Sequence, residues 1–443
     1  MSLQAERITI LGSGLVGSLL AIYLAKRGYQ VDIYERRPDM RKNRVAAGRS
    51  INLALSERGW TALEQVGIRK QIEDVAIPMY ARMVHNTDGS LSEQPYGKDG
   101  QAIYSVSRGG LNCTLMDCAE RFPNISIHFN QRIDDVNLKE KWFTIIQDDG
   151  LASRINYEVL FGADGAFSAL RAALQRTDRF EYSQSYIEHG YKELTIPAGD
   201  SGSFLMEKNA LHIWPRKNFM LIALPNQDGS FTCTLFFQFD GEESFSRIKT
   251  KAEAHDFLNR YFPDAVAMMP HCLDDFFHNP TSSLVTVRCY PWSYEDSACL
   301  IGDSAHAIVP FFGQGMNCGF EDCRILDQLL TEHDNWHELF GAFQLSRKPN
   351  ADAIATLALN NFIEMRDLVA DPHFLKKKKI ESRIAQLHPD QFISAYGMVS
   401  FTNIPYAEAL RRGREQNNLL EELSAIPELG DDILLTMAKK ILN

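Results

Sequence analysis

The chain is short of several things that would have named a class at once. No window in its 443 residues approaches an uninterrupted apolar run of about 18, so no segment reads as a membrane-spanning helix. Basic residues are not in surplus: 46 Lys and Arg stand against 57 Asp and Glu, a formal net charge of −11. That balance excludes nucleic acid as a main partner, because phosphate contacts need excess cations. The run Lys376-Lys377-Lys378-Lys379 is a local exception and reads as a solvated helix end. Paired cysteine motifs are missing as well. Cys113/Cys118 and Cys318/Cys323 are each five apart, a spacing that suits neither a zinc knuckle nor a redox dithiol, so no metal site is expected. Buried free thiols in a reducing compartment are the expectation. The start, MSLQAERITILGSG, enters a strand without a basic-then-apolar leader, and DDILLTMAKKILN at the other end is amphipathic at most. Repeats and low-complexity segments are absent. A soluble cytoplasmic protein without stable membrane insertion, monomer or homodimer, is expected.

What is present is an ordinary globular composition, 45% hydrophobic and 23% charged, in a chain long enough for two or three structural units. Residues 7–36, RITILGSGLVGSLLAIYLAKRGYQVDIYER, alternate a short buried strand, a helix from Leu15 to Ala25 closed by Gly28, and a second strand over Val31–Glu35. This βαβ opening predicts a parallel sheet. INLALSERGWTALEQVG (51–67) starts as a strand and then places Ser56 in helix N-cap position. Residues 80–108 read as short strands with turns at Asp88-Gly89 and Asp99-Gly100, and 111–121 as a helix. Residues 186–290 are β-branched and aromatic with turn punctuation, and helical patterns dominate from about 318 onward. The expected fold is α/β. A Rossmann-like dinucleotide-binding domain with a mainly parallel sheet spans 1–75, 105–180 and 290–330. An antiparallel-sheet domain (76–104 and 181–289) interleaves with it, and a helical region covers 331–443.

Three motifs carry the chemistry. Gly12-x-Gly14-x-x-Gly17 follows a strand and opens a helix, the context that gives this otherwise weak pattern meaning. Gly12 permits the tight turn, Gly14 lets a pyrophosphate approach the backbone, and Gly17 lets helix and strand pack closely. Glu35, with Arg36 beside it, ends the second strand and suits a ribose hydroxyl. These residues alone leave NAD and FAD open. FGADGAFSALR (161–171) then places Asp164-Gly165 after a strand, and IGDSAHAIVPFFGQGMN (301–317) places Gly302-Asp303 after another. A plain nicotinamide dehydrogenase needs neither, whereas a dinucleotide lying extended needs a second anchor. Asp164 and Asp303 can accept from ribityl or ribose hydroxyls. A helix beginning near Gly315 can aim the backbone N–H groups of Gly315, Met316 and Asn317 at a flavin's pyrimidine edge.

As a set, GxGxxG…DG…GD over residues 7 to about 365 resembles the single-component flavoprotein aromatic hydroxylases, whose type member acts on para-hydroxybenzoate. The resemblance implies bound FAD, a visiting NADPH without its own domain, and O2 reacting through a C4a-hydroperoxyflavin. GRSINLALSERG (48–59), QPYGK (94–98) and VPFFGQGMNCGFEDC (309–323) are similar to the branch that hydroxylates L-kynurenine beside its amine. By that resemblance Arg82 binds the substrate carboxylate, Tyr96 joins it, and Asn361 and Tyr396 contact the amino-acid end. Pro310 and Phe311 line the ring slot, with Phe237 or Phe239 as a further wall. Arg108 contacts flavin, Arg49 meets flavin or the pyridine nucleotide, and His306 is structural rather than a base. No acid–base residue is expected, because the aniline nitrogen activates the ring. A flavin hydroxylase of another aromatic acid and a non-catalytic flavin-binding interaction protein stay open as alternatives.

Overall fold

The computed structural model describes residues 7–42, 52–98, 100–147, 150–368, 371–427 and 429–442. Arg49 and the Asp99 of the expected Asp99-Gly100 turn lie outside the described residues. The chain divides into two compact units, each made of three segments: Met1–Ile77, Tyr104–Ile187 and Ser283–Ala355 in one, Pro78–Ile103, Glu188–Ser282 and Thr356–Asn443 in the other.

The first unit is built on a sheet of strands in the order 293–294, 298–300, 159–162, 7–11, 30–34, 125–128. Arg7–Leu11 is the centre of it, parallel to both neighbours, with Ile8 opposite Val31 on one side and Val159 on the other. Burial on both faces explains why Arg7–Leu11, Val159–Gly162 and Ala298–Leu300 are near-continuous apolar runs, whereas Gln30–Tyr34, fully buried only at Val31 and Ile33, alternates. The helix Leu15–Lys26 is buried from Gly17 to Ala25, and its apolar sequence on all sides follows from that position. Asn52–Leu55 pairs antiparallel with Tyr104–Ser107 nearby. Ser56 does occupy the N-cap position of Glu57–Gln65, but its side chain makes no capping bond.

The second unit holds strands in the order 188–196, 231–238, 219–225, 210–216, 81–85, 91–95. It is antiparallel except where Ala81–Val84 runs parallel to Ala210–Ile213. The stretch read as wholly β also contains the helices Lys251–Tyr261, Pro263–Ala267 and Cys272–His278, the first set by a Thr250–Glu253 capping box. They cover one face of the sheet. Phe237 lies fully buried in that core, 4.6 Å from Phe257 and 5.3 Å from Phe219 between ring centroids, so it cannot form a ligand wall.

The helical region expected over 331–443 is divided rather than a single body. The helix Trp336–Ile363 places Trp336, Leu339, Phe340 and Phe343 in the first unit's core, and the chain passes to the second unit after Ala355. Beyond it, Pro372–Leu387, Tyr406–Ser424 and Asp431–Met437 share a separate apolar cluster around Ile384, Phe392 and Leu423. The lysine run is not a solvated helix end. Lys376 donates to Ser424 O (2.6 Å), Lys377 to Glu421 (2.6 Å) and Lys378 to Glu381 (3.1 Å), which docks the run along neighbouring carboxylates and carbonyls. The eight cysteines are free and seven are buried. Among the described residues no helix is long and apolar enough to cross a membrane.

Candidate active site

The glycine turn of the first unit separates its three glycines by physical role. Gly12 has φ +98°, and a Cβ there would stand 2.6 Å from Ala163 O. A Cβ on Gly17 would stand 2.0 Å from Gly12 O, whereas one on Gly14 would meet nothing within 4 Å. Two glycines thus close the strand–helix–strand packing, and the third leaves open space at the helix N-terminus. Gly14 is the N-cap of Leu15–Lys26 and no side chain caps that helix, so its first-turn N–H groups face an approachable cradle suited to a pyrophosphate.

Glu35 follows the strand Gln30–Tyr34 and reaches back to this turn, accepting from Ser13 N at 2.9 Å. Its other oxygen accepts from Arg37 Nε (2.8 Å) and Arg37 N (3.0 Å). Burial works against its charge, but the Arg37 bonds hold its pKa below the usual range, so it is a carboxylate. Arg37, not the exposed Arg36, is therefore the partner of Glu35. Asn112 supports the same turn by donating to Ser13 O (3.2 Å), a role nothing in the sequence pattern indicated. Arg108 is the exposed first residue of the helix Arg108–Ala119, which Ser107 caps through Gly110 N.

The two later motifs are tied to each other. Asp164 does not present both oxygens to a cofactor. Its Oδ2 accepts from Ala169 N (2.6 Å) and Leu170 N (3.4 Å), while its Oδ1 is buried without a partner among the described residues. Arg171 then donates to Ser304 O at 2.7 Å, joining the Asp164-Gly165 segment to the Gly302-Asp303 segment. Gly302 has φ +65° and packs against Val16, and Asp303 opens the short helix Asp303–His306 half-buried.

After Pro310–Phe312, Gly313 takes φ +65° and the helix Gly315–Leu329 begins, with Gln314 as N-cap. Gly315, Met316 and Asn317 fill its first turn, where N–H groups have no acceptor within the helix. The Asn317 side chain points the other way: Nδ2 donates to Ala54 O and Gly313 O, both at 2.8 Å, and Oδ1 accepts from Ser56 N at 2.9 Å. Its backbone alone is left for a cofactor. Phe311 is buried and Pro310 exposed. His306 is buried with Nε2 2.6 Å from Asp322 and Nδ1 3.9 Å from Cys318 Sγ.

A different cluster forms in the second unit. Strand alternation puts His85 on the helix-covered face of Ala81–His85, stacked on Trp214 at 3.9 Å, and Arg82 on the opposite face. There the Arg82 guanidinium lies over the rings of Tyr96 and Tyr396, 5.5 and 5.0 Å from their centroids, and the two rings stack at 5.3 Å and 9°. Burial opposes the charge of Arg82, yet Tyr396, Tyr96 and Glu364 around it raise its pKa, so it is a fixed cation. Burial, with Tyr396 beside it, pushes the Tyr96 phenol up against the lowering pull of Arg82, which keeps it a neutral donor. Asn361 is buried one turn before Glu364, with Nδ2 3.3 Å from Met365 Sδ. Glu364 and Lys378 were not anticipated; Lys378 lies 3.9 Å from Glu364. Arg82, Tyr96 and Tyr396 are thus brought together; Asn361 belongs to the same unit, while Pro310 and Phe311 belong to the unit of the glycine turn.

A family profile described as an FAD binding domain matches residues 6–356. The kynurenine 3-monooxygenase of Christiangramia forsetii is 49% identical over 428 residues, 96% of this chain and 95% of its own length. The chain belongs to the kynurenine 3-monooxygenase family. Its relatives reach beyond bacteria: the family member of Flavobacterium johnsoniae is 50% identical over 94% of this chain and 93% of its own length, and that of Dictyostelium discoideum 46% over 94% and 92%. Among solved structures, 2-methyl-3-hydroxypyridine-5-carboxylic acid oxygenase superposes with TM-score 0.67 at 19% identity, covering 84% of this chain and 96% of that one. PqsL of P. aeruginosa gives 0.65 at 17% identity over 82% and 97%. These likenesses establish the flavoprotein monooxygenase fold. FAD fits the family's cradle in this chain on its own geometry: the open Gly14 position, the ionised Glu35 and the first turn of Gly315–Leu329 are the three kinds of group its pyrophosphate, ribose and ring would meet.

Proposed function

We propose that the chain hydroxylates L-kynurenine to 3-hydroxykynurenine, taking electrons from NADPH and one oxygen atom from O2. The observation that carries this reading is the Arg82–Tyr96–Tyr396 cluster, with Tyr96 buried and the other two half-buried, in a chain with the family's three flavin motifs. An α-amino acid offers a carboxylate, and a permanently charged guanidinium between phenols is the group that would hold one. Tyr96, Tyr396 and Asn361 fix the amino-acid end, and Pro310 and Phe311 provide apolar surface for the ring. Bound FAD supplies hydride acceptance and oxygen activation. Gly12, Gly14, Gly17, Glu35, Asp164 and Asp303 hold its nucleotide and ribityl parts, Arg36 and Arg108 lie along it, and backbone N–H groups at Gly315, Met316 and Asn317 meet the charge that develops on its ring. One preorganised donor of that kind is worth roughly 3 kcal/mol in comparable anion holes. No side chain acts as acid or base; positioning and exclusion of water are the protein's share. A soluble cytoplasmic enzyme is part of the reading.

The test is direct. Purified protein should be yellow, and L-kynurenine should stimulate NADPH oxidation with formation of 3-hydroxykynurenine. Arg82→Ala should raise KM for L-kynurenine at least tenfold while FAD affinity stays unchanged. A flavin-loaded Arg82→Ala enzyme with normal KM would remove the substrate assignment, and a yellow protein that L-kynurenine does not stimulate would leave a flavin-binding protein of another kind.

A further inference from the structure

A buried cluster of charges in the first unit has no part in the chemistry above. Asp322 lies two turns along the helix that starts at Gly315. Its Oδ2 accepts from Gly302 N (3.1 Å) and His306 Nε2 (2.6 Å), and its Oδ1 from Arg347 Nε (2.7 Å). Arg347 also pairs with Glu321 (2.8 Å), and Glu321 with Arg58 (2.6 Å). The side chains of Asp322 and Arg58 are 0% exposed, and those of Glu321, Arg347 and His306 no more than 5%. Arg324 adds a third guanidinium 3.7 Å from Glu321.

Two features of the cluster point to a role beyond packing. Buried ion pairs are poor stabilisers, since their desolvation offsets the attraction and apolar residues could join the same helices as well. Among the described ion pairs, three guanidinium groups, those of Arg58, Arg324 and Arg347, gather on Glu321 and Asp322. His306, Cys318 and Asp322 offer ligand atoms within 4.8 Å of one another, but no cation belongs there. Arg347 already donates to Asp322 and lies 3.5 Å from Cys318 Sγ, so its guanidinium takes the place a metal would need.

We propose that this cluster, Arg347 above all, is a built-in counter-charge for the reduced, anionic flavin and sets its reduction potential through the helix that begins at Gly315. The inference rests on the reading that this helix's first turn faces the flavin ring. Seven residues of helix put Asp322 roughly 10 Å from that turn. One unit charge at that distance, at an effective dielectric near 20, changes an ionic equilibrium on the order of tenfold. For a two-electron couple that is about 30 mV.

The experiment measures the midpoint potential of FAD bound to the full-length enzyme, together with FAD affinity and thermal unfolding. Arg347→Met removes positive charge and should shift the potential down by about tenfold in reduced-over-oxidised preference. Asp322→Asn removes negative charge and should shift it up by a similar factor. Arg347→Lys keeps the charge and should stay within about threefold of the parent. Opposite signs for the Met and Asn variants support the proposal. A purely structural cluster would lower thermal stability and FAD affinity in both without opposite potential shifts, and equal or absent shifts in flavin-loaded variants overturn it. Should Arg347→Met fail to fold, an Asp322→Asn shift that is absent or downward is enough to reject it. If the parent protein takes up no FAD, the flavin reading itself has failed, which is a distinct outcome.

Discussion

Gly14 and Gly17 stand three residues apart in one turn, yet a methyl group would act on different properties at the two. At Gly17 it would collide with Gly12 O, so Gly17→Ala should lower unfolding stability by at least ~1–3 kcal/mol, read from the urea midpoint. At Gly14 it would enter open space, so Gly14→Ala should keep the midpoint and instead raise the Kd for FAD, measured by flavin fluorescence. The tight turn at Gly12 and the close packing at Gly17 were readable from the pattern, because each depends on backbone geometry within one turn. The pattern could not name the protonation chemistry of His212, which depends on partners distant in the chain. His212 Nε2 donates to Glu207 O (2.8 Å), and its Nδ1 lies 3.0 Å from His85 Nε2. Burial holds its pKa at about 4. It is therefore neutral in the fold, while in the unfolded chain it takes a proton near pH 6.5. Its contribution is complete above that pH and declines as pH falls toward 4, by about 3 kcal/mol. His212→Asn should flatten that part of the stability curve, which denaturant unfolding at pH 7 and pH 4.5 would show. Asp264 acts in a lower window. Burial alone would raise it, but bonds from His85 and Trp214 hold it at about 2, so its share persists until pH falls below the ordinary carboxylate range.

Among elements, the helix Gly315–Leu329 was legible at its start, where glycines after a proline–aromatic step signal a backbone approach. What its third residue does was not legible. The Asn317 side chain closes three hydrogen bonds to Ala54, Ser56 and Gly313, and a Cβ on Gly59 would lie 2.5 Å from Asn317 Oδ1. Ala54 and Ser56 are remote in sequence, so no local pattern announces them. Asn317→Ala would leave Ser56 N–H and two carbonyls without their partner and should cost roughly 2–4 kcal/mol, with weaker FAD binding as the loop loosens. Thermal unfolding of the apoprotein separates the first effect from the second. The helices over 251–278 were missed for another reason. Aromatic content there looked like strand, although the Thr250–Glu253 box and Pro263 at a helix start were both in view. The lysine run misled because a charge run carries no sign of the Glu421 and Ser424 acceptors about 45 residues on. Asp164 stands just past a strand end as read, and what the sequence did not show is that the next helix uses one of its two oxygens.

For the whole molecule, interleaving of two sheet types was readable from composition, whereas the passage between units after Ala355 was not. Helical pattern runs unbroken through Trp336–Ile363, and only the destination of its two halves differs. The apolar interior is likewise partitioned. Among the described residues, the first unit's main cluster runs no further than Ala351, the sheet cluster of the second no further than Phe276, and the C-terminal helices have their own. A chain ending at Leu368 should therefore keep FAD but lose stimulation by L-kynurenine, because Tyr396 goes with the removed helices. Flavin content per polypeptide and NADPH oxidation with and without L-kynurenine would check both halves of that expectation. The strand order has a further consequence for how the protein is made. Val159–Gly162 waits beside Arg7–Leu11 for a neighbour, Ala298–Leu300, that leaves the ribosome roughly 140 residues later. At about 5–20 residues per second that interval is on the order of 7–30 seconds. Through all of it a nascent sheet edge stays open to wrong pairing. The nucleotide cradle cannot be completed until about three quarters of the polypeptide has been translated, so cofactor capture comes late in the life of each new molecule.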